Sequence, residues 1–118
     1  MAASRRRDIC SISAAGYQAV EKLIASGVEF DAVFAVTDII AIGAMRALQD
    51  AGRNVPDDVA VVGFDDMPLA AHVTPALTTV RQDIRLASEG LVDAIVGLIE
   101  EHPVESTMMA PRLIVRQS

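Results

Sequence analysis

Apolar runs and amphipathic segments alternate along the chain, and the periods differ between them. "AAGYQAVEKLIASG" carries Tyr17, Val20, Leu23 and Ile24 at helical spacing and stops at Gly27, so it predicts a helix with a glycine end. The preceding "RRDICSI" predicts a short strand, and "DAVFAV" a second one. "TDIIAIGAMRALQDAG" opens with Thr37 and Asp38, both favoured N-cap types, and closes at Gly52, which predicts another helix. "NVPDD" is a turn, "VAVVGF" a strand, and "DDMPLAAHV" a cap followed by a short helical turn. "TPALTTVRQ" is extended, because Pro75 restrains Thr74 and the threonines favour a strand. The longest helix is "DIRLASEGLVDAIVGLIEE", striped by Ile84, Ala87, Leu91, Ala94, Ile95 and Leu98; "PRLIVRQS" is a final strand.

This alternation argues for an α/β fold with a parallel sheet and helices on both faces. Val59 to Phe64 is then apolar because it is covered on both sides. Such sheets bind ligands in the crevice beyond the carboxyl ends of their strands. Asp65 and Asp66 stand at one such end, Thr37 and Asp38 at another. Each pair has a plain structural use, capping the helix that follows. One of Asp65 and Asp66 is expected to do that, and the other to accept hydrogen bonds from ligand hydroxyls. A carboxylate can serve two neighbouring hydroxyls at once.

The remaining composition mainly excludes. The formal net charge is -6 and Lys22 is the one lysine, which disfavours nucleic-acid binding by this chain. A single cysteine, Cys10, rules out an internal disulfide and fits a reducing compartment. Arg5 to Arg7 read as a solvated terminus or strand end, and the residues after them are too polar for a secretory segment. No apolar run reaches the roughly 18 residues of a membrane span. His72 and His102 lack partners at metal-ligand spacing, Gly43 and Gly63 stand singly rather than in a phosphate loop, and no nucleophile has a paired histidine and acid. No metal, cofactor or catalysis is expected.

"FDAVFAVTDIIAIGAMRALQDAGRNVPDDVAVVGFDDMPLAAHVTPALTTVRQDI" resembles the C-terminal half of the effector-binding domain of LacI-type transcription regulators. The family pattern runs in order and at matching spacing: an apolar strand ending in Ala-Asn-Asp, Ala-Leu-Gly-Ala-Leu-Arg, Gly-x-x-Val-Pro-x-Asp, Val-Val-Gly-Phe-Asp-Asp, and Thr-Pro-x-Leu-Thr-Thr-Val-x-Gln. The resemblance spans about Tyr17 to the C-terminus and implies one lobe of a type I periplasmic-binding-protein-like fold. It implies that Asp65 is the effector-binding carboxylate, with Thr37 in place of the usual Asn, Asp38 beside it, and Gln82 near the crossover between subdomains. The aromatic that often stacks on the ligand has no counterpart in "DICSIS". Residues 1–118 then form the C-terminal subdomain, and 84–101 is a helix that packs on an N-terminal subdomain outside this sequence. The DNA-binding headpiece likewise lies outside it.

The function so implied is a cytoplasmic, sugar-responsive regulator fragment, binding a small effector and touching DNA only through the headpiece. The alternative is a fragment of a periplasmic sugar-binding protein of a transporter. A magnesium-dependent receiver domain is a further alternative, but it wants a lysine after its last strand, and Lys22 lies in the first predicted helix. A homodimer is expected because Ile39, Ile40, Ile42, Met45 and Leu48 cannot all meet one sheet. Ile39, Ile42 and Met45 are the candidate interface residues, with exchange of the segment after Thr79 as the other route.

Overall fold

Helix α2, Asp38–Asp50, forms the centre of the chain, and eight of its thirteen residues are buried. The computed structural model describes residues 9–118. One helix and two strands share the cover of α2. Helix α1, Ile9–Ala25, lies along one side, and the parallel strands β1, Ala32–Phe34, and β2, Ala60–Val62, lie against another. The helices approach so closely that a Cβ on Gly43 would collide with the backbone carbonyl of Ser13. Glycine at this position permits the contact. Leu48, Val20, Val59, Val61 and Leu77 fill the space between these elements and are essentially inaccessible to water. Burying a side chain the size of Leu48 contributes roughly 2 kcal/mol.

Val33 lies opposite Val61 in the parallel pair. After β2 comes a short 3-10 turn, Pro68–Ala71, then β3, Thr79–Arg81. A parallel bridge between Val62 and Thr78 joins β2 to β3, with Gly63 N–H donating to the Thr78 carbonyl at 2.9 Å. Helix α3, Ile84–Ile99, leads to β4, Arg112–Ile114, which pairs with β3 antiparallel, Val80 opposite Leu113.

The α/β architecture read from the sequence is therefore present, with three departures. Helices were expected on both faces of the sheet, but among the described residues α2 packs on one face and Phe34 and Val36 stay exposed. The last strand runs antiparallel to its neighbour, because the chain returns from α3 to the far edge of β3 rather than crossing over the sheet. The segment "RRDICSI" was expected to be a strand. Its residues from Ile9 onward are the first turns of α1, and the rest, with Arg5 to Arg7, lies outside the described residues. A helix extends by adding its own hydrogen bonds, whereas a strand needs a neighbouring edge.

Helix α3 differs from all of this. Asp83 caps its N-terminus by accepting from Leu86 N–H at 3.0 Å, yet none of its sixteen residues is buried. Ile84, Leu91 and Ile99 are 69%, 66% and 75% exposed. The radius of gyration, 18.4 Å, exceeds the ~13.5 Å of a compact chain of this length because α3 and its return segment project from the body.

Candidate functional site

Three chain segments meet at the carboxyl ends of β1, β2 and β3. The first begins at Thr37, whose extended backbone and side-chain oxygen cap α2 by accepting from Ile40 N–H at 3.3 Å. Asp38 follows. Its N–H donates to the Phe64 carbonyl at 2.9 Å, which ties the start of α2 to the end of β2. Its carboxylate is fully buried and accepts from the Thr79 hydroxyl at 2.5 Å and from Met67 N–H at 2.7 Å. Asp38 thus links all three segments from the first turn of α2. Gly63 makes room for it, since a Cβ there would run into Asp38 Oδ1.

Asp65 and Asp66 both adopt positive φ, 110° and 51°. Such backbone is uncommon outside glycine and costs of order 1–3 kcal/mol per residue. Hydrogen bonds on every side offset it. Asp65 N–H donates to the Val80 carbonyl at 2.9 Å, and Asp66 N–H to Thr79 Oγ1 at 3.3 Å. Asp66 Oδ1 accepts from Arg116 Nη2 at 2.6 Å, and its Oδ2 from Arg81 Nε at 2.5 Å. Arg116 holds the Asp66 carboxyl below its usual range; burial opposes this and Arg81 assists. The Arg116 side chain is 18% exposed against 52% for Arg81, so Arg116 is the less screened partner.

The two neighbouring acids therefore have different surroundings. Asp66 is consumed by cations. The Asp65 side chain is exposed and makes no side-chain hydrogen bond among the described residues. Gln82 is exposed as well. Asp65 and Gln82 line one open cleft, bounded by Arg81, the first turns of α3 and the stretch from Thr107 to Ala110. Of the four residues expected at the ligand, the structure brings these two to the cleft. Thr37 caps α2 and Asp38 lies beneath the surface; neither lines that cleft.

The residues expected at an interface differ in burial within the single chain. Met45 is 3% exposed, Ile39 is buried and Ile42 half-buried. Helix α1 shares the cover of α2 with the sheet, and Ile42 keeps part of its surface open. His72 is turned to the Pro68 carbonyl, 2.8 Å from Nδ1, and no cluster of three metal-ligating side chains occurs among the described residues. Sequence reasoning missed Thr79, Arg81 and Arg116. The adjacent acids signalled a need for counter-charge, but Arg116 lies fifty residues from Asp66 and no local spacing points to it.

A family model described as a periplasmic binding protein-like domain matches residues 2–118. The lactose operon repressor of Rhizobium radiobacter is 46% identical over 81 residues, covering 69% of this chain and 72% of that protein. The lactose operon repressor of Escherichia coli is 32% identical over 115 residues, 98% of this chain but 31% of that one. The lac repressor dimer bound to operator and an anti-inducer superposes with a TM-score of 0.84 at 31% identity, over 89% of this chain and 37% of that chain. The chain thus spans about a third of the length of the latter two. All three are repressors rather than transporter components. The chain belongs to the periplasmic-binding-protein-like family, as part of the effector-binding domain of a LacI-type transcription regulator.

Proposed function

We propose that this chain forms one wall of an effector cleft and reads a small sugar-like molecule through the Asp65 carboxylate, with Gln82 beside it. The observation that carries this reading is the unengaged, exposed Asp65 side chain just beyond β2, next to an acid that is fully engaged. Charge-assisted bonds to hydroxyls are the stronger kind, and a carboxylate that spends none of its lone pairs on the protein can offer them to a ligand. Thr37 is a secondary contact at the neighbouring strand end. Asp38 supports the site from below, since its own oxygens already accept from Thr79 and Met67.

In this reading the chain is a binding module of a cytoplasmic regulator and not a catalyst. DNA is engaged through a headpiece outside these residues, consistent with the net charge of -6. The apolar face of α3 packs on the N-terminal subdomain, which supplies the opposite wall, and the intact regulator is a homodimer. The uncovered Leu91, Ile95 and Leu98 support that packing. With one wall only, affinity is weak.

A sugar screen on the 118-residue chain, read by amide chemical-shift mapping, tests the assignment. Shifts clustered at Asp65, Asp66 and Gln82 are expected. Shifts confined to α1 or to the Asn54–Asp58 turn overturn it.

A further inference from the structure

Asp66, Arg116 and Arg81 form a unit that the proposed sugar contact does not use. Arg116 spends its two terminal nitrogens on different partners: Nη2 on Asp66 and Nη1 on the Leu77 carbonyl at 2.8 Å. Its own N–H donates to Thr78 Oγ1 at 3.0 Å. Ser118 continues the attachment, donating to the Val61 carbonyl at 2.6 Å and accepting from Thr78 N–H at 2.8 Å. The segment after β4 is therefore fastened along β2 and β3, and its arginine reaches the turn that carries Asp65.

We propose that Asp66 is a positioning residue for Asp65, acting through Arg116 and Arg81. The proposal rests on the reading that Asp65 contacts the effector. Two effects follow from the geometry. The first is mechanical. Consecutive positive φ values at Asp65 and Asp66 persist only where the surroundings over-determine them, and the Asp66 carboxylate is the one side chain of the turn anchored at both oxygens. The second is competitive. Arg81 lines the same cleft as Asp65, and Asp66 occupies its Nε. With a neutral residue at 66 the Arg81 guanidinium is left to pair with Asp65, whose oxygens would then be unavailable to hydroxyls. One acid of the pair thereby keeps the other free.

The test compares Asp66→Asn and Arg116→Lys with Ser118→Ala in the whole chain. Ser118→Ala loosens the same tail without touching Asp66, and so reports a purely structural role. The first readout is amide hydrogen exchange at Asp65, whose N–H is bonded to Val80, referenced to the buried core amide of Ala41. Asp66→Asn and Arg116→Lys are expected to speed exchange at Asp65 at least tenfold beyond any change at Ala41, and Ser118→Ala less than threefold. The second readout is titration with lactose. Asp66→Asn is expected to weaken the lactose-induced shifts at least tenfold, and Asp66→Asn combined with Arg81→Gln to recover part of that loss by removing the competing cation. Unchanged relative exchange at Asp65 in Asp66→Asn overturns the proposal, as does an equal effect from Ser118→Ala. If the wild-type chain shows no lactose response, the choice of sugar or the assignment of Asp65 fails, while the exchange measurement still decides the role of Asp66.

Discussion

Helices α2 and α3 are close in length and both strongly apolar, yet one is the heart of the core and the other is bare. α2 buries eight of thirteen residues between α1, β1 and β2, while α3 buries none of sixteen. Local signals do not separate them. Each starts at a capping side chain, Thr37 or Asp83, bonded to the backbone N–H three residues on. The difference is one of partners. Apolar surface stabilises a fold only when another surface covers it. For α2 helix α1 and the sheet do so; for α3 the described residues offer little beyond the chain's return past its end, where His102 N–H donates to the Gly97 carbonyl at 2.8 Å. Composition therefore tells that a helix has somewhere to pack, and topology tells where.

Substitution can break or sharpen this contrast. The largest effect is expected from Leu48→Ala, which empties a fully buried site between α1, α2 and the sheet and should destabilise the chain by about 3 kcal/mol in urea unfolding. Leu91→Ala, at 66% exposure, should cost well under 1 kcal/mol in the same assay. Equal losses would mean that α3 has a partner within the chain.

A comparable loss is expected at the junction beneath the site. Asp38→Ala leaves Met67 N–H and the Thr79 hydroxyl without an acceptor in a buried place, at about 2–3 kcal/mol. Asp38→Asn should recover part of it, since one amide oxygen still accepts. Thermal unfolding of the two variants decides whether Asp38 is a support or a dispensable cap.

Acid should act through Asp66. Its folded carboxyl lies below the ordinary value of about 3.9, so the native state binds its proton more weakly than the unfolded chain does. The associated stability is complete above that ordinary value and is lost as the pH falls through the lower, folded one. Stability measured between neutrality and strong acid should fall more steeply below about pH 4 for the wild type than for Asp66→Asn. Parallel curves would show that the two arginines contribute nothing net. The smallest effect on stability belongs to Leu91→Glu with Ile95→Glu on the exposed face of α3. It should leave the unfolding midpoint nearly unchanged and reduce self-association in sedimentation velocity.

Much of this was legible in the chain. Helical spacing with Thr37 at one end and Gly52 just past the other marked α2, and the buried run from Val59 located β2, because period and punctuation are local properties. The same patterns placed Asp65 and Asp66 at a strand end and assigned one acid to structure and the other to a ligand. Sequence did not show that Asp66 is held by cations rather than by a helix N-terminus, or that Asp38 faces inward. Those facts rest on Arg116 and Thr79, which are fifty and forty-one residues away and are brought in by the pairing of β3 with β2 and by the segment after β4. Nor did it show that α1 takes the second apolar side of α2, the premise on which association through Ile39, Ile42 and Met45 was expected. Capping and periodicity are decided within one turn or one strand, so the sequence alone determined them. Which acid is neutralised, which stays exposed and which helix is left bare depend on surfaces meeting across the chain, and only the tertiary structure decided those.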